Sequence, residues 1–165
     1  MKKIVFTLLL ATVMVSCSKT DQNIQKNKTL IEKYVSAVEN KDTETMVSLL
    51  DDNYIGLGPS VNDSINKENA ITNWENNLEN LYESIQYSKS RVIAVNVPDG
   101  ENKGEWVSNW AELKIVYKKD KKNVTIWANT VYQIENNKII KSYTFYNEAD
   151  VLEQLGFVFI NPNDL

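Results

Sequence analysis

The stretch that decides the fold is EWVSNWAELKIVYKKDKKNVTIWANTVYQIENNKIIKSYTFYN, residues 105–147. It divides into three runs, Glu105 to Tyr117, Val124 to Glu135 and Lys138 to Asn147, in which alternate residues are mostly apolar or β-branched. A period of two marks half-buried strands. A Lys/Asp tip separates the first two runs and Asn136-Asn137 the last two; asparagine tolerates the positive φ of a two-residue hairpin. Centring the first hairpin on Asp120-Lys121 sets Val107, Asn109, Ala111, Leu113, Ile115 and Tyr117 opposite Ile134, Tyr132, Thr130, Ala128, Ile126 and Val124. Centring the second on Asn136-Asn137 adds Ile139, Lys141, Tyr143, Phe145 and Asn147 to that face. Cross-strand partners share a face, so the two hairpins agree on one apolar surface that needs cover. The opposite face carries Trp106, Trp110, Trp127, Val131, Ile140 and Tyr146 among Ser108, Glu112, Asn129 and Gln133. That is a large aromatic area to leave wet.

Towards the amino terminus, Gln86 to Val97 is a further β-branched run that ends at the turn signal Pro98-Asp99-Gly100. Before it the spacing turns helical. Leu30, Ile31, Tyr34, Val35 and Val38 form one stripe; Asp42 and Thr43 offer caps for a second helix with Met46, Leu49 and Leu50. Gly56 to Pro59 reads as a loop, and Ala70, Ile71, Trp74, Leu78 and Leu81 share one face of a third helix. A short closing helix, Ala149 to Leu155, stops at Gly156. The expectation is an α+β domain whose N-terminal helices cover an antiparallel sheet.

The first residues carry a different signal. Lys2 and Lys3 precede an apolar run from Ile4 to Val15, shorter than the ~20 residues that span a bilayer but suited to an export signal. Met14-Val15-Ser16-Cys17 resembles the lipobox of bacterial lipoproteins. The resemblance implies cleavage before Cys17, acylation of Cys17 with palmitate-type chains, and, with Ser18 next, anchoring at the outer membrane of the cell envelope. Cys17 is the single cysteine of the chain, so an internal disulfide is excluded and acylation explains it better than redox chemistry. Acyl chains contribute ~0.8 kcal/mol per buried CH₂, and two or more anchor stably. The expected division is 1–16 signal peptide, 17–27 lipidated cysteine and polar tether, and 28–165 a single domain.

Several short segments then line up with a known family. They are Tyr34-Val35-Ser36-Ala37-Val38-Glu39-Asn40-Lys41-Asp42, Leu49-Leu50-Asp51-Asp52, Asn137-Lys138-Ile139-Ile140, Phe145-Tyr146-Asn147 and Leu152-Glu153-Gln154-Leu155-Gly156. Their order and spacing resemble the nuclear transport factor 2-like superfamily, and its SnoaL-like branch most, over roughly Ile24 to Phe157. The resemblance implies a cone-shaped, curved antiparallel sheet with about three N-terminal helices on its concave face and a pocket between them. It also implies a choice among isomerases, polyketide cyclases, dehydratases, and members that only bind or assemble, often sheet to sheet.

Composition removes much chemistry. The chain has no histidine, which excludes Ser-His-Asp and Cys-His catalysis and the usual zinc sites. No glycine-rich phosphate loop is present, and a net charge of −4 argues against nucleic acid. No cofactor or metal is expected. Proton-abstracting members of the superfamily use a pocket carboxylate, but Asn147 stands where cyclase-like relatives place an Asp. On the register above, Glu112 and Glu135 face outward and no carboxylate points inward from the last three strands; Asp51, Glu68 and Glu148 remain as sources of a base. Tyr34, Asn109, Thr130, Tyr132, Tyr143 and Asn147 are the expected inward polar groups, with Tyr54 and Trp74 closing the mouth. Such a wall suits a small apolar or amphipathic ligand, with no catalytic residue assigned. Trp106, Trp110, Trp127, Val131 and Tyr146 are the expected homodimer interface. Three functions therefore stand open: a non-catalytic binding domain, a SnoaL-like isomerase, cyclase or dehydratase, and an assembly protein.

Overall fold

The computed structural model describes residues 22–161 and 163. The signal sequence and the lipidation expected at Cys17 lie outside the described residues. Helix α1 covers residues 22–39, and its predicted stripe is the core: Ile31 and Val38 are fully buried, with Leu30, Tyr34 and Val35 close behind. The expected tether to residue 27 is corrected, because 22–27 is already helical and Asn27 is buried. Lys41, at φ 59°, ends the helix. Asp42 then caps α2 (Thr43–Leu49), its carboxylate accepting from the Thr45 N–H at 2.9 Å.

Two strands follow that the helical pattern concealed. Leu50–Leu57 is β1 and Ser64–Asn66 is β2. Leu50, expected in the second helix, opens a strand, and Gly56, expected in a loop, lies inside it. Asn66 caps α3 (Lys67–Asn80) by accepting from the Asn69 N–H. The rest is β3 (Tyr82–Val97), β4 (Gly104–Tyr117), β5 (Asn123–Glu135), β6 (Lys138–Tyr146) and α4 (Glu148–Leu155). Gly156, in the left-handed region at φ 93°, closes α4 with paired backbone bonds from its own N–H and that of Phe157.

The six strands form one sheet in the order β2-β1-β6-β5-β4-β3. It is mixed, because β1 runs parallel to β6, where a wholly antiparallel sheet was expected. The concave face packs on α1, α2 and α3, with Val107, Ile139, Ile134 and Ile85 against Ile31 and Val38. Lys118 and Lys122, at the Lys/Asp tip of the first hairpin, hold helix ends: Lys118 donates to the carbonyls of Leu78 and Glu79, and Lys122 to that of Leu155. A cation there complements the helix dipole.

The β4–β5 register is two residues from expectation, with Glu105 opposite Ile134 and Ile115 opposite Val124. A slip of two keeps every side chain on its face, so that surface survives. The β5–β6 hairpin turns at Asn136-Asn137 as expected, both at positive φ. It then departs: Ile134 faces Ile139 but Gln133 faces Lys141. A bulge at Ile140 sets two residues against one and reverses the parity of the rest of β6. Ser142, Thr144 and Tyr146 therefore point into the concave side, and Lys141, Tyr143 and Phe145 away from it.

Candidate functional site

A cavity of about 250 Å³ lies between the concave sheet and the helices. Seven of the eight tyrosines line it; Tyr143 alone does not. Its floor is made by Tyr34 of α1, Tyr54 of β1 and Tyr132 of β5, all buried, with Tyr34 and Tyr132 edge to face at 5.9 Å. Its mouth is made by the half-buried Tyr82, Tyr117 and Tyr146, with Val151 of α4 beside them and the first two rings edge to face at 5.4 Å. Ile85, Leu113, Ile115 and Ile126 supply aliphatic wall.

The enclosed polar groups are partly engaged. Tyr54 and Ser142 share a hydrogen bond between hydroxyls at 2.7 Å. Asn109, buried, donates from Nδ2 to the Ser90 hydroxyl and the Arg91 carbonyl, at the bulge that breaks β3. The Thr130 and Thr144 hydroxyls meet at 3.3 Å across β5 and β6. No Asp, Glu, Lys or Arg belongs to the cavity lining described here. The carboxylate close behind it is Glu39 at the end of α1, whose Oε1 accepts the Tyr87 N–H at 2.7 Å.

Enclosure tightens the hold of these phenols on their protons. Burial pushes Tyr34 and Tyr132 far above the ordinary phenol value, and neighbouring phenols add to it. Burial, then the Glu39 carboxylate, pushes Tyr87 up to about 12. Tyr54, Tyr82, Tyr117 and Tyr146 are raised for the same first reason. At neutral pH the cavity is a wall of aromatic faces with uncharged hydroxyls, each able to donate or accept.

No protein-family profile and no curated protein matches the chain. Solved structures do. A protein of Xanthomonas campestris assigned as a polyketide cyclase superposes with a TM-score of 0.67 at 12% identity, over 81% of this chain and 99% of that one. A SnoaL-like polyketide cyclase assignment from Shewanella denitrificans gives 0.60 at 12% identity, over 77% and 94%. An LEH-like epoxide hydrolase of M. tuberculosis gives 0.58 at 14%, over 81% and 91%. The fold is the one these solved structures share.

Within this fold, the expected ligand set divides. Tyr34, Tyr54, Trp74, Asn109, Thr130 and Tyr132 are brought together at the cavity. Tyr143 and Asn147 are not. The Ile140 bulge turns Tyr143 to the convex face, where its ring lies 6.2 Å from that of Trp106. Asn147 is the cap of α4, accepting from the Asp150 N–H. The same bulge takes Tyr146 out of the expected interface and into the cavity mouth. Trp106 leaves the interface too: it is buried, its Nε1 donating to the Asn102 carbonyl. Trp110, Trp127 and Val131 stay on the convex face, joined by Phe145, Ile93 and Val95 from neighbouring strands.

Glu105 corrects the expectation that β4 sends no carboxylate inward. It faces α1, accepting from Asn23 at 3.1 Å and Asn27 at 2.6 Å, outside the cavity lining. Asp51, Glu68 and Glu148 are not among the lining residues. Tyr82, Tyr87, Tyr117, Ser142 and Thr144 are lining residues that were not singled out. Tyr117 had been placed on the correct face. Tyr82 and Tyr87 stand at opposite parity, and a register shift between Tyr82 and Ser84 brings them together.

Proposed function

We propose that this chain is a membrane-anchored, non-catalytic domain that binds a small, uncharged, apolar or amphipathic molecule in the tyrosine-lined cavity. One observation carries the proposal: seven tyrosines enclose about 250 Å³ with no charged side chain in the lining. An ion entering such a site would lose its hydration without a counter-charge, which is costly; a neutral molecule with an apolar body and one or two oxygens would lose little. The lipobox at Cys17 supports anchoring at the outer membrane. Native mass spectrometry of the domain purified from cells tests binding. A small-molecule mass retained under gentle conditions and lost on denaturation is the expected result. Turnover of a substrate, abolished by Tyr132→Phe, would overturn it.

Two observations favour other roles. The structural neighbours include proteins named as cyclases and an epoxide hydrolase, and the Glu39 carboxylate accepts from the backbone N–H of the lining residue Tyr87. An isomerase, cyclase or dehydratase would use Glu39 as its base, and Glu39→Gln would then abolish turnover while sparing binding. The convex face favours assembly. Ile93, Val95, Trp110, Trp127 and Phe145 are each more than a third exposed on one side of β3–β6. Self-association as a homodimer through that face accounts for a patch of this kind, and sedimentation over a concentration series measures it.

A further inference from the structure

The geometry points to a ligand taken from the aqueous compartment and not from the bilayer that anchors the chain. This inference rests on the anchored-binding proposal above and names the source of the ligand. The observation is a polarity in the domain: the chain enters at one end of α1 and the cavity opens at the other.

The entry end is fixed by Glu105, the second residue of β4, which accepts from Asn23 and Asn27 in the opening turns of α1. Glu105 lies opposite Ile134, so this end also carries the Asn136-Asn137 turn. At the other end of the helix, Glu39 accepts from the Tyr87 N–H and Lys41 donates to the Glu83 carbonyl at 2.5 Å. There Tyr82 pairs with Tyr117, next to the β4–β5 turn. The half-buried phenols of the lining gather at this second end, whereas Tyr34, Asn109 and Tyr132 are buried further in. The opening therefore faces away from the start of α1.

Distances make the polarity matter. Asn23 and Glu39 are sixteen residues apart on the helix, ~24 Å at ~1.5 Å per residue. Cys17 precedes Gln22 by five residues, a reach of at most ~17 Å at ~3.4 Å each. An anchor at Cys17 holds the Glu105 end towards the bilayer and leaves the tyrosine mouth beyond that reach.

The test uses the lipidated chain purified from membranes and returned to phosphatidylcholine vesicles that contain a spin-labelled lipid quencher. Acylated Cys17 cannot react with a thiol dye, so Asn136→Cys and Lys119→Cys each carry one bimane label, at the entry end and at the mouth. Quenching at position 136 with little or none at 119 is the expected result. Equal quenching at both, as when the domain lies on its side, or stronger quenching at 119 overturns the inference. Mass spectrometry of the same sample reads the acyl chains on Cys17. An unacylated chain ends the anchoring proposal and this inference with it, whereas an acylated chain with a quenched mouth ends this inference alone.

Discussion

The concave and convex faces of the same sheet are both rich in aromatic rings, and they use different ones. The concave face and its helices gather seven tyrosines around a cavity. The convex face carries Trp106, Trp110, Trp127, Tyr143 and Phe145. On the concave side the rings are enclosed, and a phenol lets an enclosed aromatic keep a hydrogen-bonding group, as Tyr54 does with Ser142. On the convex side Trp127 is 60% and Phe145 54% exposed, and nothing among the described residues covers them. The first arrangement suits a small neutral guest; the second suits a surface as large as itself. Lys89 softens that exposure locally, its ammonium 5.4 Å over the Trp127 ring while it pairs with Glu112.

The comparison is broken most severely on the enclosed side. Ile31→Ala removes a fully buried side chain and is expected to cost ~2–5 kcal/mol, whereas Trp127→Ala should change the stability of one copy by about 0.5 kcal/mol or less. Urea unfolding at low protein concentration checks both, and equal losses would mean the convex ring packs within the monomer. Next in size, Trp110→Glu together with Trp127→Glu should weaken self-association by ~10-fold or more, about 1.4 kcal/mol or above. Sedimentation reads it, and ligand binding should stay unchanged if the two faces are independent.

Alkali addresses the concave face selectively. Its phenols are raised in the fold and titrate near 10 when unfolded. Above pH ~10 the unfolded chain has released protons that the fold still holds, so folding stability must fall as pH rises from there, and be fully present below. Tyrosine absorbance should accordingly lag in the native protein. The smallest expected effect is that of Tyr132→Phe or Tyr87→Phe, about 3–10-fold in ligand affinity for the loss of one hydroxyl worth ~1 kcal/mol, with dimerisation untouched. Calorimetry with the ligand recovered by mass spectrometry would decide it.

How far the sequence could be read depends on whether a local error changes a face. The first hairpin was misplaced by two residues, and the apolar surface was still correct because two is the side-chain period. At Ile140 an error of one residue was enough to exchange Tyr143 for Tyr146. Nothing local marks that bulge: Ile139 and Ile140 are chemically equal, and the fold chooses Ile139 for complete burial. The parallel partner β1 sits against the same segment, with its own irregularity between Leu50 and Ile55. Strand β1 was itself hidden, since Leu49-Leu50 continues a helical pattern and β1 finds its parallel partner β6 only in residues some ninety positions later.

By itself the sequence determined the three core strands, the asparagine turn, the helical stripe of α1, and the caps at Asp42 and Gly156. Each of these is written in residues within a few positions of one another, through periodicity, turn chemistry or capping. Only the tertiary structure decided which tyrosines meet. Tyr34, Tyr54, Tyr82, Tyr87, Tyr117, Tyr132 and Tyr146 come from one helix and five strands, and their convergence depends on bulges in β3 and β6 and on the parallel seat of β1. Those are settled by the packing of the whole sheet against α1, where a one-residue change of register reverses a face and only the global core distinguishes the two choices.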